Sequence, residues 1–328
     1  MQTIFLNETY SGNKDCVATI GFFDGVHKGH EFLIRRVITD ARNLGLAAAV
    51  VTFDRHPREV LGGGNGPGML CTLEERIERI GRTGIDFCFV VPFSREVSML
   101  SAHDFMKDVL KGQFGVRQLV IGYDNRFGHD RTEGFEDYVR FGSEMGMEVL
   151  GCSAFQEDGV YVSSSVIRGY LSNGQITEAT QCLGYQYSLT ARVVRGEQEG
   201  RKMGFPTANL DISHTRKLIP QQGVYAVYVH IGDDSRRWLG MMNIGRRPTF
   251  GDKPMTAEVH ILDFNGDLYG KEISVAFIRR LRGERLFASP EELAEQLRRD
   301  CMEVKTHPNL SPNGEEIKTH PNPPEGRG

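Results

Sequence analysis

Along the first half of the chain, short apolar runs alternate with amphipathic stretches. The runs at 17–20, 46–53, 85–93, 119–121 and 147–152 are rich in β-branched and aliphatic residues and predict strands. Between them, 30–44, 73–82, 102–110 and 135–145 carry apolar residues at helical spacing. Strict β-α alternation predicts an α/β doubly wound parallel sheet, in which ligands bind beyond the carboxyl ends of the strands.

After about residue 185 the period changes from 3.6 to two. Segments 189–194, 224–231, 238–244, 257–264 and 273–281 alternate apolar and polar residues between glycine and proline turns, which predicts an antiparallel β-barrel. One terminal helix follows over 290–304, with Ser289 as its N-cap and glutamates in its first turn. The predicted domains are therefore 1–183 and 184–305. In 306–328 the pattern fails: VKTHPN at 304–309 recurs as IKTHPN at 317–322 among proline, glycine and charge, the composition of a disordered tail without chemistry.

At 328 residues the chain is long enough for two cores. It is 39% hydrophobic and 25% charged, with no apolar stretch of membrane-spanning length and no signal-peptide pattern in MQTIFLNETY. The net charge of −4, without a long basic run, argues against a nucleic-acid partner as well. Six cysteines without a CxxC pair argue against a zinc site or a disulfide framework, so a cytoplasmic location is expected. Homo-oligomerisation is left open.

Candidate chemistry concentrates at predicted strand ends. Residues 21–30, GFFDGVHKGH, join a strand to a helix. Gly21, Phe22, Asp24 and Gly25 shape the turn, Gly25 and Gly29 are expected to let backbone approach a ligand, and His27 and His30 flank the helix N-terminus. Free backbone N–H groups and the positive dipole end make such a turn a candidate phosphate site, although similar turns occur with no catalytic role. Three further segments end or begin elements in the same half: TFDRHP at 52–57 with Asp54, GYDNRFG at 122–128 with Asp124, Asn125 and Arg126, and VSSSVIR at 162–168 with Ser163, Ser164, Ser165 and Arg168. Hydroxyls at a helix start followed by arginine suit a second phosphate clamp, but equally an ordinary N-cap.

These four segments, in this order, resemble the FMN adenylyltransferase module of bacterial bifunctional riboflavin kinase/FAD synthetases. The HxGH pair by itself marks only a wider nucleotidyltransferase superfamily. In the second half, GEQEGRKMGFPTANL at 196–210 looks like that family's riboflavin kinase signature, with NIGRRPTF at 243–250 and EVHILDFNGDLYG at 258–270 as further matches. The likeness spans about residues 15–303. Departures are Asn125 where the family usually has phenylalanine, Ser165 for threonine and Ala191 for glycine.

The resemblance implies two ATP-dependent reactions on small-molecule substrates, riboflavin to FMN and FMN to FAD. It implies Glu258 as the base for the ribityl hydroxyl, Thr207 and Asn209 as Mg²⁺ ligands, and Gly196, Gly200, Gly204, Pro206 and Asn243 as nucleotide- or flavin-binding positions. In the first half it implies phosphate contacts for His27, His30, Ser163, Ser164 and Arg168, with Asp24, Asp124 and Arg126 orienting nucleotide or flavin. Two other readings remain at this point: a kinase whose first module handles another nucleotide or is inactive, and a flavin-binding regulator without turnover.

Overall fold

The computed structural model describes residues 1–6, 15–62, 68–129, 132–196, 200, 203–232, 234–246 and 255–306. The expected tail beyond 306 lies outside them. By packing, the chain divides into two units: Met1–Gly169 with Cys182–Gly184 and Arg216–Leu218, and Tyr170–Gln181 with Tyr185–Thr215 and the chain from Ile219 onward.

The first unit is built on a six-stranded, wholly parallel sheet in the order β1-β4-β3-β2-β5-β6. Its strands are β1 (Gln2–Phe5), β2 (Cys16–Ile20), β3 (Ala47–Phe53), β4 (Phe87–Val91), β5 (Val116–Gly122) and β6 (Glu148–Cys152). Strands buried on both faces read as continuous apolar runs, and β2 and β4 are buried at every residue. On one face α1 (Lys28–Leu44) packs Leu33, Ile34, Val37 and Ile38, and α3 (Leu73–Arg82) packs Ile80. The opposite face is covered by Phe105, Met106, Val109 and Leu110, and by Tyr138 of α6 (Phe135–Met145). Helix N-termini are capped within the chain: Thr72 and Glu75 form a reciprocal capping box on α3.

The predicted strands and helices of this half are present, with one change. Segment 102–110 is α-helical only over α5 (Ala102–Asp104) and continues as a π-helix over Phe105–Lys111. There Gly112 N–H donates to the Lys107 carbonyl and Phe114 N–H to the Val109 carbonyl, both spanning five residues. Elements that the pattern did not announce are β1, the short α2 (Pro57–Val60) and α4 (Arg95–Ser98), the hairpin β7 (Gln156–Glu157) and β8 (Val160–Tyr161), and α8 (Ile176–Leu183), which follows α7 (Ser164–Ser172).

The second unit contains a closed antiparallel barrel, ordered β10-β13-β12-β11-β14-β9. Its strands are β9 (Ser188–Val194), β10 (Ala208–Leu210), β11 (Gly223–Ile231), β12 (Trp238–Arg246), β13 (Met255–Ile261) and β14 (Glu272–Arg282). Alternate residues such as Val193, Tyr225, Val227, Met242, Val259 and Phe277 fill the interior. Helix α9 (Pro290–Lys305), capped by Ser289 as expected, lays Val304 on the outer face over Ala226, Tyr228 and Met241.

Candidate active sites

In the first unit, sheet order reverses at β2, so the crevice beyond β2 and β5 is the topological switch point. Asn125 closes this end by donating its side-chain amide to the Ile20 carbonyl. Around it lies a cavity of about 750 Å³. One part is apolar, lined by Phe53, Phe93, Leu100, Phe105 and Phe127; the other presents His56, Arg58, Arg126, Ser165 and Arg168. Gly21 and Phe22 line it too. The combination suits a flat ring system attached to phosphate.

His27 and His30 meet at the start of α1, their rings stacked 3.6 Å apart. His27 is the N-cap, and its Nδ1 accepts the His30 backbone N–H at 3.3 Å. An accepting Nδ1 leaves the proton on Nε2 of the neutral ring, so the tautomer follows from the hydrogen bond. Burial, reinforced by the positive charge of Arg168, holds the His27 pKa down at about 3. Burial also pushes His30 well below its usual value, with His27 and Arg76 acting in the same direction. Both rings are therefore uncharged at neutral pH, and His27 keeps its proton on Nε2.

Several sequence expectations need correction. Gly25 and Gly29 do not hold space open for a ligand. Gly25 is buried and donates its N–H to Cys71 Sγ at 3.0 Å. A Cβ on Gly29 would stand 3.0 Å from the Val162 carbonyl oxygen and 3.1 Å from His27 Nδ1, so that space belongs to the histidine turn itself. Asp24, expected to orient substrate, is 3% exposed and turned inward. Its carboxylate accepts the Leu70 and Cys71 N–H groups at 3.0 and 3.2 Å and pairs with Arg168. Arg168 also donates to the Gly68 carbonyl at 2.9 Å, yet still lines the cavity.

The serines divide their work. Ser163 Oγ caps α7 by accepting Val166 N–H at 3.3 Å, Ser164 Oγ donates to the Asp24 carbonyl at 2.9 Å, and Ser165 faces the cavity. Asp54 accepts Phe93 N–H at 2.7 Å and pairs with Arg55, tying β3 to β4. Burial pushes the Asp54 carboxyl up, but these hydrogen bonds outweigh it and the net shift is downward. Asp124 is exposed outside the cavity lining, whereas neighbouring Arg126 lines it.

In the barrel, register aligns the polar residues. Asn209 on β10 pairs with Glu258 on β13, which pairs with Asn243 on β12. Directly opposed residues share a face, so these three form one row. Thr207 Oγ1 donates to Glu258 Oε2 at 3.3 Å and lines a second cavity of about 710 Å³. Pro206, Val259, Phe264 and Tyr269 line that cavity as well. A Cβ on Gly196 would collide with the side-chain amide of Asn209, so the chain passes close to Asn209 there. Gly200 accepts the Phe205 N–H at 2.8 Å and shapes the turn before Pro206, and Gly204 lies inside that turn.

Sequence reasoning missed the aromatic wall of the first cavity, because Phe53, Phe93, Phe105 and Phe127 come from four separate segments. It also missed Arg76, buried among the apolar residues of α3. A signal existed: 76 shares a helix face with 73 and 80, where a core residue is expected.

Residues 10–166 match the FAD synthetase family model and 183–307 the riboflavin kinase model. The chain is 36% identical to a bifunctional riboflavin kinase/FMN adenylyltransferase of Escherichia coli K12, covering 90% of this chain and 93% of that one. It is 37% identical to the protein of the same name from Pseudomonas fluorescens, covering 88% and 91%. A solved structure described as a macrolide-efflux protein from Streptococcus pneumoniae superposes with a TM-score of 0.83 at 30% identity, covering 93% and 99%. No helix among the described residues is long and apolar enough to cross a membrane. The chain belongs to the bifunctional riboflavin kinase/FMN adenylyltransferase family.

Proposed function

We propose that the chain converts riboflavin to FAD in two ATP-dependent steps, the first in the barrel and the second in the parallel-sheet unit, with functional domains 1–183 and 184–305 and no catalytic part for 306–328. The supporting observation is that members of each motif set line a separate cavity. Gly21 and Phe22 of the histidine turn, Asn125, Arg126, Ser165 and Arg168 line one, with His27 and His30 buried behind the lining, and Thr207, which donates to Glu258, lines the other.

In the kinase step the terminal ribityl hydroxyl attacks the γ-phosphorus of ATP, its proton passes to Glu258, and ADP leaves. Glu258 is held by Thr207 and by its place between Asn209 and Asn243. The set of Thr207 hydroxyl, Asn209 amide and Glu258 carboxylate contains only hard oxygen acceptors, which suits Mg²⁺ sharing its shell with phosphate oxygens. Thr207 and Asn209 would hold that ion, which when bound neutralises phosphate charge. The Thr207 hydroxyl spends its proton on Glu258 and keeps its lone pairs for such a role.

In the adenylyl step a phosphate oxygen of FMN attacks the α-phosphorus and pyrophosphate departs. The nucleophile is already ionised near neutrality, so charge stabilisation is the main task. His27 donates from Nε2, Arg168 and Arg126 offer guanidinium charge, and Ser165 offers a hydroxyl. The aromatic lining of the cavity receives a flat ring, and Asn125, tied to the Ile20 carbonyl, lines the same cavity. Asp24 works by holding Arg168 and the 70–71 backbone. A cytoplasmic site of action is in keeping with six free thiols and with ATP as co-substrate.

Incubation with riboflavin, ATP and Mg²⁺, followed by separation of the flavins, tests the reading. FMN and then FAD are expected. Accumulation of FMN alone would leave only the kinase, and bound but unchanged riboflavin would indicate a regulator.

A further inference from the structure

Arg76 is 1% exposed, and no carboxylate of the described residues lies within 4.0 Å of its guanidinium. Its Nη1 donates to the Phe22 carbonyl at 2.6 Å and to Thr52 Oγ1 at 3.3 Å, and its Nε is buried with no hydrogen-bond partner. The guanidinium carbon stands 4.2 Å over the Phe22 ring. Phe22 in turn lines the first cavity.

A buried charge is costly unless something compensates it, and guanidinium does not escape by losing its proton. The groups around Arg76 compensate it only in part: burial draws its pKa down, and the Asp24 and Asp54 carboxylates, acting from a distance, do not cancel that shift. Burial pushes the thiols of Cys71 and Cys88 up to about 12, so both stay neutral. The Asp24 carboxylate is committed to Arg168, and that of Asp54 to Arg55. With the inward-facing Asp24 carboxylate paired to Arg168, Arg76 has no ion-pair partner among the described residues, which leaves an excess positive charge behind the wall of the cavity.

We propose that Arg76 is a positioning residue of the adenylyl site that holds Phe22 in place and supplies a standing positive charge neutralised by the phosphates of the bound nucleotide. The inference rests on the adenylyltransferase reading of this cavity and adds to it a residue that no motif of that reading contains. A fixed cation behind the wall costs no reorganisation when an anion arrives, and in a low-dielectric setting its attraction is strong. The same field adds to burial and to His27 in holding the His30 pKa down. The cost of burying the unpaired charge is borne by the empty protein and relieved on binding.

The test compares the full-length parent with Arg76→Lys and Arg76→Met, measuring KM for ATP and kcat for FAD formation from supplied FMN, together with thermal melting. The neutral variant is expected to raise the ATP KM at least tenfold with a smaller change in kcat, and lysine, which keeps the charge, to recover most of that loss. The neutral variant should also melt no lower than the lysine variant, because it no longer buries an unpaired charge. If both substitutions leave the ATP KM at the parental value, or if lysine is as impaired as methionine while folded, the inference is overturned. A parent that makes no FAD at all would instead refute the functional reading beneath it. Should the methionine variant fail to fold, the lysine variant still decides: an ATP KM near the parental value supports a charge-dependent role, and a tenfold rise in the folded protein contradicts it.

Discussion

Asn209 lies directly opposite Glu258 in the β10–β13 register, and Thr207, two residues earlier, donates to the same carboxylate at 3.3 Å. A strand of only three residues therefore carries the proline-threonine turn onto the carboxylate proposed as base. Glu258→Gln keeps the shape and an acceptor for Thr207 but removes the basic oxygen. It should lower FMN formation by about 10²–10⁴-fold, the usual range for a lost general base. Supplied FMN should still be converted to FAD at close to the parental rate. Equal loss of both activities in folded protein would contradict the assignment.

His27 gives a pH dependence with a definite sign. Its folded pKa is near 3, below the ordinary 6.5 of an unfolded chain, so between these values the unfolded state binds a proton that the folded state refuses. Stability is complete above pH 6.5 and falls as the pH drops toward 3, by about 1.4 kcal/mol per pH unit for each such histidine. Thermal melts of the parent from pH 7 to 5 should show this decline. His27→Gln, which does not titrate, should flatten it, and an unchanged slope would show that His27 is not buried neutral.

Much of this architecture was legible because strands buried on both faces announce themselves as apolar runs, as β2 and β4 do. Five of the six barrel strands, all but β10, were equally plain from their period of two. What could not be read were elements fixed by distant partners. β10 exists because β9 and β13 flank it, and β1 because β4 offers an edge. At the site, residue types were legible but side-chain direction was not. Asp24 looks like a substrate ligand in GFFDGVH, yet the Leu70 and Cys71 amides claim it from 46 and 47 residues away.

That inward turn of Asp24 makes a third prediction. Asp24→Asn keeps an acceptor for the Leu70 amide but deprives Arg168 of its charge partner. Breaking such a buried pair costs about 3–5 kcal/mol. Adenylylation should fall with it through displacement of Arg168, while FMN formation from riboflavin continues. A variant as stable as the parent would mean that the pair contributes nothing to the frame.

Residues 306–328 include the second copy of the polar hexapeptide and contain no apolar periodic face. Their removal should leave the melting temperature and both rates essentially unchanged. A loss of either rate after truncation at 306 would assign the repeat a role.

Lys217 provides the last prediction, because its place in the chain and its place in the fold differ. In sequence it lies between β10 and β11 of the barrel, yet 216–218 pack within the first unit. Met69 N–H donates to the Arg216 carbonyl and Leu218 N–H to the Met69 carbonyl, both at 2.8 Å. The Lys217 ammonium, 7% exposed as a residue, reaches both Glu75 oxygens at 2.8 and 2.6 Å. Glu75 is also the reciprocal partner in the capping box of α3, the helix that carries Arg76. Burial draws the Lys217 pKa down while Glu75 opposes that shift, and the short contacts argue for a charged pair. Lys217→Met keeps the aliphatic stem and removes the charge. It should destabilise by about 1.5–3 kcal/mol, the range for a hydrogen bond to a charged group, since Glu75 retains partial access to water. FAD formation should then be lost at a lower temperature than in the parent, with FMN formation from riboflavin less affected. If heating instead removed the kinase activity first, the strip 216–218 would belong energetically to the barrel.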